Sequence, residues 1–321
     1  MKKFIFKLII FVLPFLVFIN LPKIKNYVFN DEICAKINTF VSNFNEPMII
    51  VGGDSRAERQ IIPKIMAEKL GISTINIGVS AGDIASFYNS LYKYNLLHKD
   101  VIAIISVSSV ELNDSFINKW GIPQAYVSYM TLWDRINIFR ESYLSVLHER
   151  FLLIINEIFT KKSSLVLNHN DSRIKTRGFL GVSGDVSQWD LSKIHNLQDD
   201  LEREWYFNSN YNGVSKRTFS KIIKKIADTN MNIVIFQPPV SLSWYKHIEG
   251  TYIDSIELNH SKYLKSISSK YDNISFIDFY TTQSTVYHDS MFDNSIHLNY
   301  KGAKIFTNTL LDSLIYNNFV E

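Results

Sequence analysis

The chain's 321 residues, 46% of them hydrophobic, can bury a sizeable core as one large domain or two small ones, which excludes a disordered protein. Lysines and arginines number 34 against 31 aspartates and glutamates, a formal charge of +3, and no basic tract is longer than a lysine pair, so no nucleic-acid partner is expected. The lone cysteine, Cys34, excludes an internal disulfide, and no cysteine–histidine cluster has zinc-site spacing, so neither a metal nor a cofactor is implied.

The N-terminus, MKKFIFKLIIFVLPFLVFINLPKIKN, sets two lysines before an apolar run from Phe4 to Leu21 that only Lys7 interrupts, with no small-x-small cleavage site after it. A run of about 18 residues just spans a bilayer if Lys7 snorkels to the headgroups, and Pro14 is tolerated in such a helix. Residues 1–25 therefore read as a signal anchor, a transmembrane helix that makes the membrane one partner of the chain. A cleaved signal peptide is the alternative. Lys2, Lys3 and Lys7 outnumber Lys23 and Lys25, which puts the N-terminus in the cytoplasm and the remainder outside.

After a connecting segment at 26–46, apolar stretches alternate with helical patterns. The former are PMIIVGG at 47–53, ISTINIG at 72–78, DVIAIISV at 100–107, NIVIFQPP at 232–239 and ISFIDF at 274–279. Their lack of polar alternation predicts strands buried on both faces, and the amphipathic stretches Arg59 to Leu70 and Ile84 to Leu97 predict helices between them. The expected fold is α/β: a three-layer α/β/α sandwich around a five-stranded parallel sheet, with ligands at the carboxyl ends of the strands. Between the third and fourth strands lie about 120 residues, too many for one crossover. A helical insertion at about 119–205 is expected there, including ESYLSVLHERFLLIINEIF at 141–159, whose Leu144, Leu147, Phe151, Ile155 and Ile158 recur at helical spacing. Trp120, Tyr126, Tyr129 and Trp133 read as core residues of that insertion, with a glycan groove as the alternative.

In MIIVGGDSRAERQIIPKIM, at 48–66, a strand ends in two glycines just before a helix. Ser55 then stands where unpaired helical N–H groups point, a place suited to a nucleophile. The last helix begins MFDNSIHLNYKGAKIFTNTLL, with Asn299 as its N-cap, so His297 lies on the loop before it. In a doubly wound sheet this loop shares the carboxyl edge with Ser55, bringing a nucleophile and a base together. A carboxylate just upstream would set the imidazole tautomer.

GGDSR at 52–56 resembles the Gly-Asp-Ser block of the SGNH/GDSL hydrolases, and DNSIHLN at 293–299 resembles their Asp-x-x-His block. The likeness spans nearly all of residues 47–318 and implies a flavodoxin-like SGNH domain at 47–321, with Ser55 as nucleophile and His297 as base. It also implies an oxyanion hole from the N–H groups of Ser55 and Gly78, the latter in NIGVSAG, completed by Asn113 in VELND. VELND lacks the family's glycine, and Ser108 or Ser109 is the alternative near the site. Asn294 stands three residues before His297 and Asp293 four before, so either the loop carries one extra residue or the triad holds an amide. Asp293 is the expected acid, with Asp289 in reserve. Arg56 is a candidate contact for an anionic or carbonyl group of the substrate.

GVSAG at 78–82 is also a Gly-x-Ser-x-Gly pattern after a strand, the nucleophile elbow of α/β-hydrolases, which would make Ser80 the nucleophile. That fold normally places several strands before its elbow, and only one precedes this one. Ser80 or Asp83 as a cap for the next helix is the plainer reading. The resemblance and the location outside a membrane imply an O-acetylesterase or O-acetyltransferase acting on a cell-surface polysaccharide. A membrane protein that delivers acyl groups would be its further partner. The reading from a different class is a non-catalytic glycan-binding or assembly component.

Overall fold

The computed structural model describes residues 31–41, 46–112, 126, 129–130, 166–168, 171–188, 213–229, 231–281 and 286–317. Among these residues no helix is long and apolar enough to cross a membrane. The expected span at 4–21 and the helix at 141–159 lie outside them, as do Asn113, Trp120 and Trp133.

Five strands, β1 (Met48–Gly52), β2 (Ser73–Asn76), β3 (Val101–Ser106), β4 (Asn232–Gln237) and β5 (Ile274–Asp278), form one sheet. Its order is β2-β1-β3-β4-β5 and every pairing is parallel, with Val51 opposite Ile104 and Ile104 opposite Val234. The apolar runs have no polar face because both faces are covered. Ile50, Ala103, Ile105, Ile233 and Ile235 meet α1 (Asp31–Phe40), α4 (Ile84–Lys93), α5 (Val214–Ala227) and α7 (Tyr252–Ser268). Ile49, Val51, Ile104, Val234 and Phe236 meet α2 (Ser55–Gln60), α3 (Pro63–Leu70) and α8 (Tyr300–Tyr316) on the other side. A smaller cluster seats α6 (Leu242–Ile248) against α7 through Trp244, Ile248, Ile253 and Ile256.

The helix expected over Arg59 to Leu70 is two helices. Pro63 has no N–H to donate and pushes the residue before it out of the helical region, and Ile62 is extended at φ −97 and ψ 102, so α2 stops and α3 restarts at Pro63. The helix from Ile84 ends at Lys93, capped at its start by Asp83, whose carboxylate accepts the Ser86 N–H. Within the stretch expected to be a connecting segment, α1 sends Ile33 and Ile37 into the core, and Lys36 is completely buried. Tyr126 is buried in the core and Tyr129 packs against it.

Candidate active site

The order of the strands reverses between β1 and β3, so the crevice of this sheet opens at their carboxyl ends. The chain leaves β1 through Gly53, whose φ of +120 favours glycine and whose missing Cβ would lie 2.4 Å from the Ser106 carbonyl oxygen. Asp54 caps α2: its Oδ1 accepts the Arg56 N–H at 3.0 Å and the Ser106 hydroxyl at 3.3 Å. Ser55 is therefore the first residue of α2, and its own N–H has no partner within the helix.

His297 reaches the same point from the far end of the chain. The loop before α8 is a tight hairpin, closed by a bridge between Phe292 and Leu298 and by Asp293 N–H donating to the His297 carbonyl at 2.8 Å. Asn299 caps α8 by accepting the Gly302 N–H at 3.0 Å. Ser55 Oγ and His297 Nε2 are 2.8 Å apart. The imidazole is largely buried, which pushes its pKa down to about 3; the positive charge of Arg59 is the next contributor and Arg56 adds to it, while Asp54 opposes. His297 is thus a neutral imidazole at physiological pH.

The residue at the other ring nitrogen is Asn294, not Asp293. The Asn294 amide places Nδ2 2.9 Å and Oδ1 3.1 Å from His297 Nδ1. Its Oδ1 also accepts the backbone N–H groups of Ile296 at 3.1 Å and His297 at 3.0 Å. Asp293 points away, its carboxylate accepting the Gly184 N–H at 2.9 Å. Asp289, the reserve, accepts the Ser243 N–H at 2.9 Å and so caps the start of α6. The expectation of an acid at Nδ1 is corrected on geometry: the turn that presents His297 brings the third residue upstream, and not the fourth, beneath the ring.

The expected oxyanion donors also divide. Gly78 N–H donates to Asn76 Oδ1 at 2.9 Å, and the Gly78 carbonyl accepts from Lys36 Nζ. Asn76 is fixed in turn by donating to the carbonyls of Ala57 at 2.8 Å and Ile61 at 3.0 Å, groups that the early end of α2 leaves unpaired. Gly78 N–H is thereby committed within the fold, which leaves Ser55 N–H as the donor of the pair. Ser109 donates its hydroxyl to Glu257 at 2.6 Å, and Ser108 is buried. Ser80 is exposed, in the turn beyond the edge strand β2. No group of three or more metal-ligating side chains occurs among the described residues.

Arg56 is 7% exposed and donates from Nε to Asp54 Oδ2 at 3.3 Å. Arg59, one turn beyond Ser55, escapes a motif-based reading, although its spacing of four residues from the serine is visible in the sequence.

No family model matches the chain, and no curated protein does. Its chain course is similar to that of a Streptococcus pneumonia chain described as a candidate platelet activating factor, at 12% identity and a TM-score of 0.39, over 96% of this chain and 99% of that one. A Bacteroides fragilis chain described as a candidate acylhydrolase is similar at 9% identity and a TM-score of 0.42, over 88% and 94%.

Proposed function

We propose that the chain is a serine acyl-transfer enzyme of the SGNH type, an O-acetylesterase or O-acetyltransferase acting on an extracytoplasmic polysaccharide. The observation that carries this is the 2.8 Å contact of Ser55 Oγ with His297 Nε2 at the carboxyl edge of the sheet. Ser55 Oγ forms a bond to the ester carbonyl carbon, its proton passes to His297 Nε2, and the Ser55 N–H faces the developing oxyanion. The tetrahedral species collapses with loss of the sugar alcohol, which takes that proton. Water or a second sugar hydroxyl then removes the acyl group by the same steps in reverse. The apolar run at 4–21 supports tethering by one N-terminal helix, with the α/β domain outside the membrane.

A second reading, a glycan-binding or assembly component without turnover, draws on Asn294 at Nδ1 and on the engaged Gly78 N–H. The two are separated by intact mass of the full chain in detergent after fluorophosphonate treatment, with Ser55→Ala and Ser80→Ala variants alongside. One adduct on the wild type and on Ser80→Ala, and none on Ser55→Ala, is expected. A folded wild type that takes no adduct and still binds polysaccharide establishes the second reading. An adduct lost in Ser80→Ala alone transfers the role to the elbow serine.

A further inference from the structure

Helix α2 carries two arginines beside Ser55, and one of them has no counter-charge among the described residues. Arg56 is paired with Asp54. The acid between them in sequence, Glu58, is occupied by Lys36 at 2.8 Å and Arg173 at 2.9 Å. Among the described residues Arg59 makes no hydrogen bond or ion pair, and its buried Nε has no partner. Four residues separate it from Ser55, which puts the two on one helical face. The next residue, Gln60, donates its amide to the Ile296 carbonyl at 3.0 Å, pinning this end of α2 to the loop that presents His297. Glu111 is turned elsewhere: its Oε1 accepts the Ile84 N–H at 2.8 Å, and burial, with the neighbouring Asp83, pushes its carboxyl well above the usual carboxylate range.

Arg59 is partly exposed, but its Nε is shut off from water with its N–H unsatisfied, which is costly, and an anion is the ligand that the planar fork of a guanidinium fits. Resting on the acyl-transfer reading, we infer that Arg59, aided by Arg56, receives an anionic group of the substrate, so that the scissile ester sits on a sugar bearing a carboxylate or a phosphate. The class of substrate is an acidic glycan rather than a neutral one. Binding of that anion also offsets the positive charge that opposes protonation of His297, so the acidic substrate eases the proton transfer that a neutral one leaves costly.

The test uses the full chain and three acetyl esters: O-acetylated methyl glucuronoside, its neutral methyl glucoside counterpart, and O-acetylated glucose phosphate. Wild-type kcat/KM is expected to favour an acidic sugar over the neutral one by roughly tenfold to a hundredfold. Arg59→Gln abolishes the preference, and Arg59→Lys keeps part of it, because an ammonium retains the charge without the fork. Whichever acidic ester is preferred identifies the group as carboxylate or phosphate. A preference absent from the wild type, or unchanged in Arg59→Gln, with Ser55 still labelled by fluorophosphonate, overturns the anion site and leaves acyl transfer standing. If Ser55 takes no label and no ester turns over, acyl transfer falls, and calorimetric titration of methyl glucuronoside and glucose phosphate decides the anion site separately. Binding lost in Arg59→Gln supports it, and no binding to the wild type overturns it.

Discussion

Replacing Asn294 by aspartate is expected to accelerate the reaction of Ser55. In the native loop, Asn294 Oδ1 already accepts two backbone N–H groups, from Ile296 and His297, which fills both lone pairs of a carbonyl oxygen. The partner left for His297 Nδ1 is the Nδ2 amino group at 2.9 Å, a donor. Nδ1 must then accept, which places the imidazole proton on Nε2, and that nitrogen donates to Ser55 Oγ instead of taking its proton. Reaching the productive tautomer breaks the amide contact. A carboxylate at position 294 keeps both backbone bonds on one oxygen and presents the other to an Nδ1 proton, freeing the Nε2 lone pair. In serine proteases the reverse exchange, aspartate to asparagine, lowers kcat by about ten-thousandfold through the wrong tautomer, roughly 5.4 kcal/mol of barrier. The gain here is bounded by that figure and is expected to be about a hundredfold or more in the rate of fluorophosphonate labelling and in kcat/KM on acetyl esters. The carboxylate also raises the His297 pKa from about 3, so the acid limb of the pH–rate profile, where the base is lost by protonation, moves toward neutrality. Nitrogen NMR of His297 reads the tautomer directly. An Nδ1–H imidazole in the wild type, or an unchanged labelling rate in a folded Asn294→Asp protein, refutes the reasoning.

Two further outcomes concern the fold that holds the site. Lys36→Met removes the donor to Glu58 and to the Gly78 carbonyl and is expected to cost about 3 kcal/mol, near the low end for a broken buried pair because Arg173 still faces Glu58; a shift in the urea midpoint worth under about 1 kcal/mol contradicts this. His260 is fully buried with Nε2 donating to the Val107 carbonyl at 3.2 Å, and burial pushes its pKa from 6.5 down to about 3. The unfolded chain therefore takes up a proton that the native state refuses. The His260 contribution to stability is full above pH 6.5 and falls by about 1.4 kcal/mol per pH unit as pH drops toward 3, and His297, also held near 3, adds a second slope of the same size. His260→Gln, measured by urea unfolding across that window, lowers the total slope by about 1.4 kcal/mol per pH unit and leaves the His297 share, and an unaltered slope shows that other groups set it.

The sheet was legible because a strand covered on both faces must be apolar throughout, as MIIVG and VIAIIS are, and their spacing left room for crossover helices. Where the reading slipped, local backbone chemistry overrode periodicity. The pattern from Arg59 to Leu70 is helical in its side chains, yet Pro63 divides it, and the division has a consequence at the site: the carbonyls of Ala57 and Ile61 are freed and Asn76 turns to meet them. Asn76 then takes the Gly78 N–H with its remaining oxygen. No motif centred on Gly78 contains that chain of contacts, since it runs through a proline on another helix. Helix α1 was hidden for a different reason: DEICAKINTF spends an alternate turn on Lys36, whose partners Glu58 and Gly78 are far away in sequence.

The pairing of Ser55 with His297 depends only on topology, because loops leaving β1 and entering α8 must share the carboxyl edge of a parallel sheet. The residue beneath the imidazole depends instead on one step of register. The bridge from Phe292 to Leu298 and the bond from Asp293 N–H to the His297 carbonyl fold the loop back on itself, so that residues 293 and 297 meet through their backbones. The Asp293 carboxylate accepts from Gly184, and Asn294, one residue nearer, occupies the space under Nδ1. An aspartate adjacent in sequence is thus out of reach in space, and the chemistry of this site turns on an amide whose orientation two backbone N–H groups dictate.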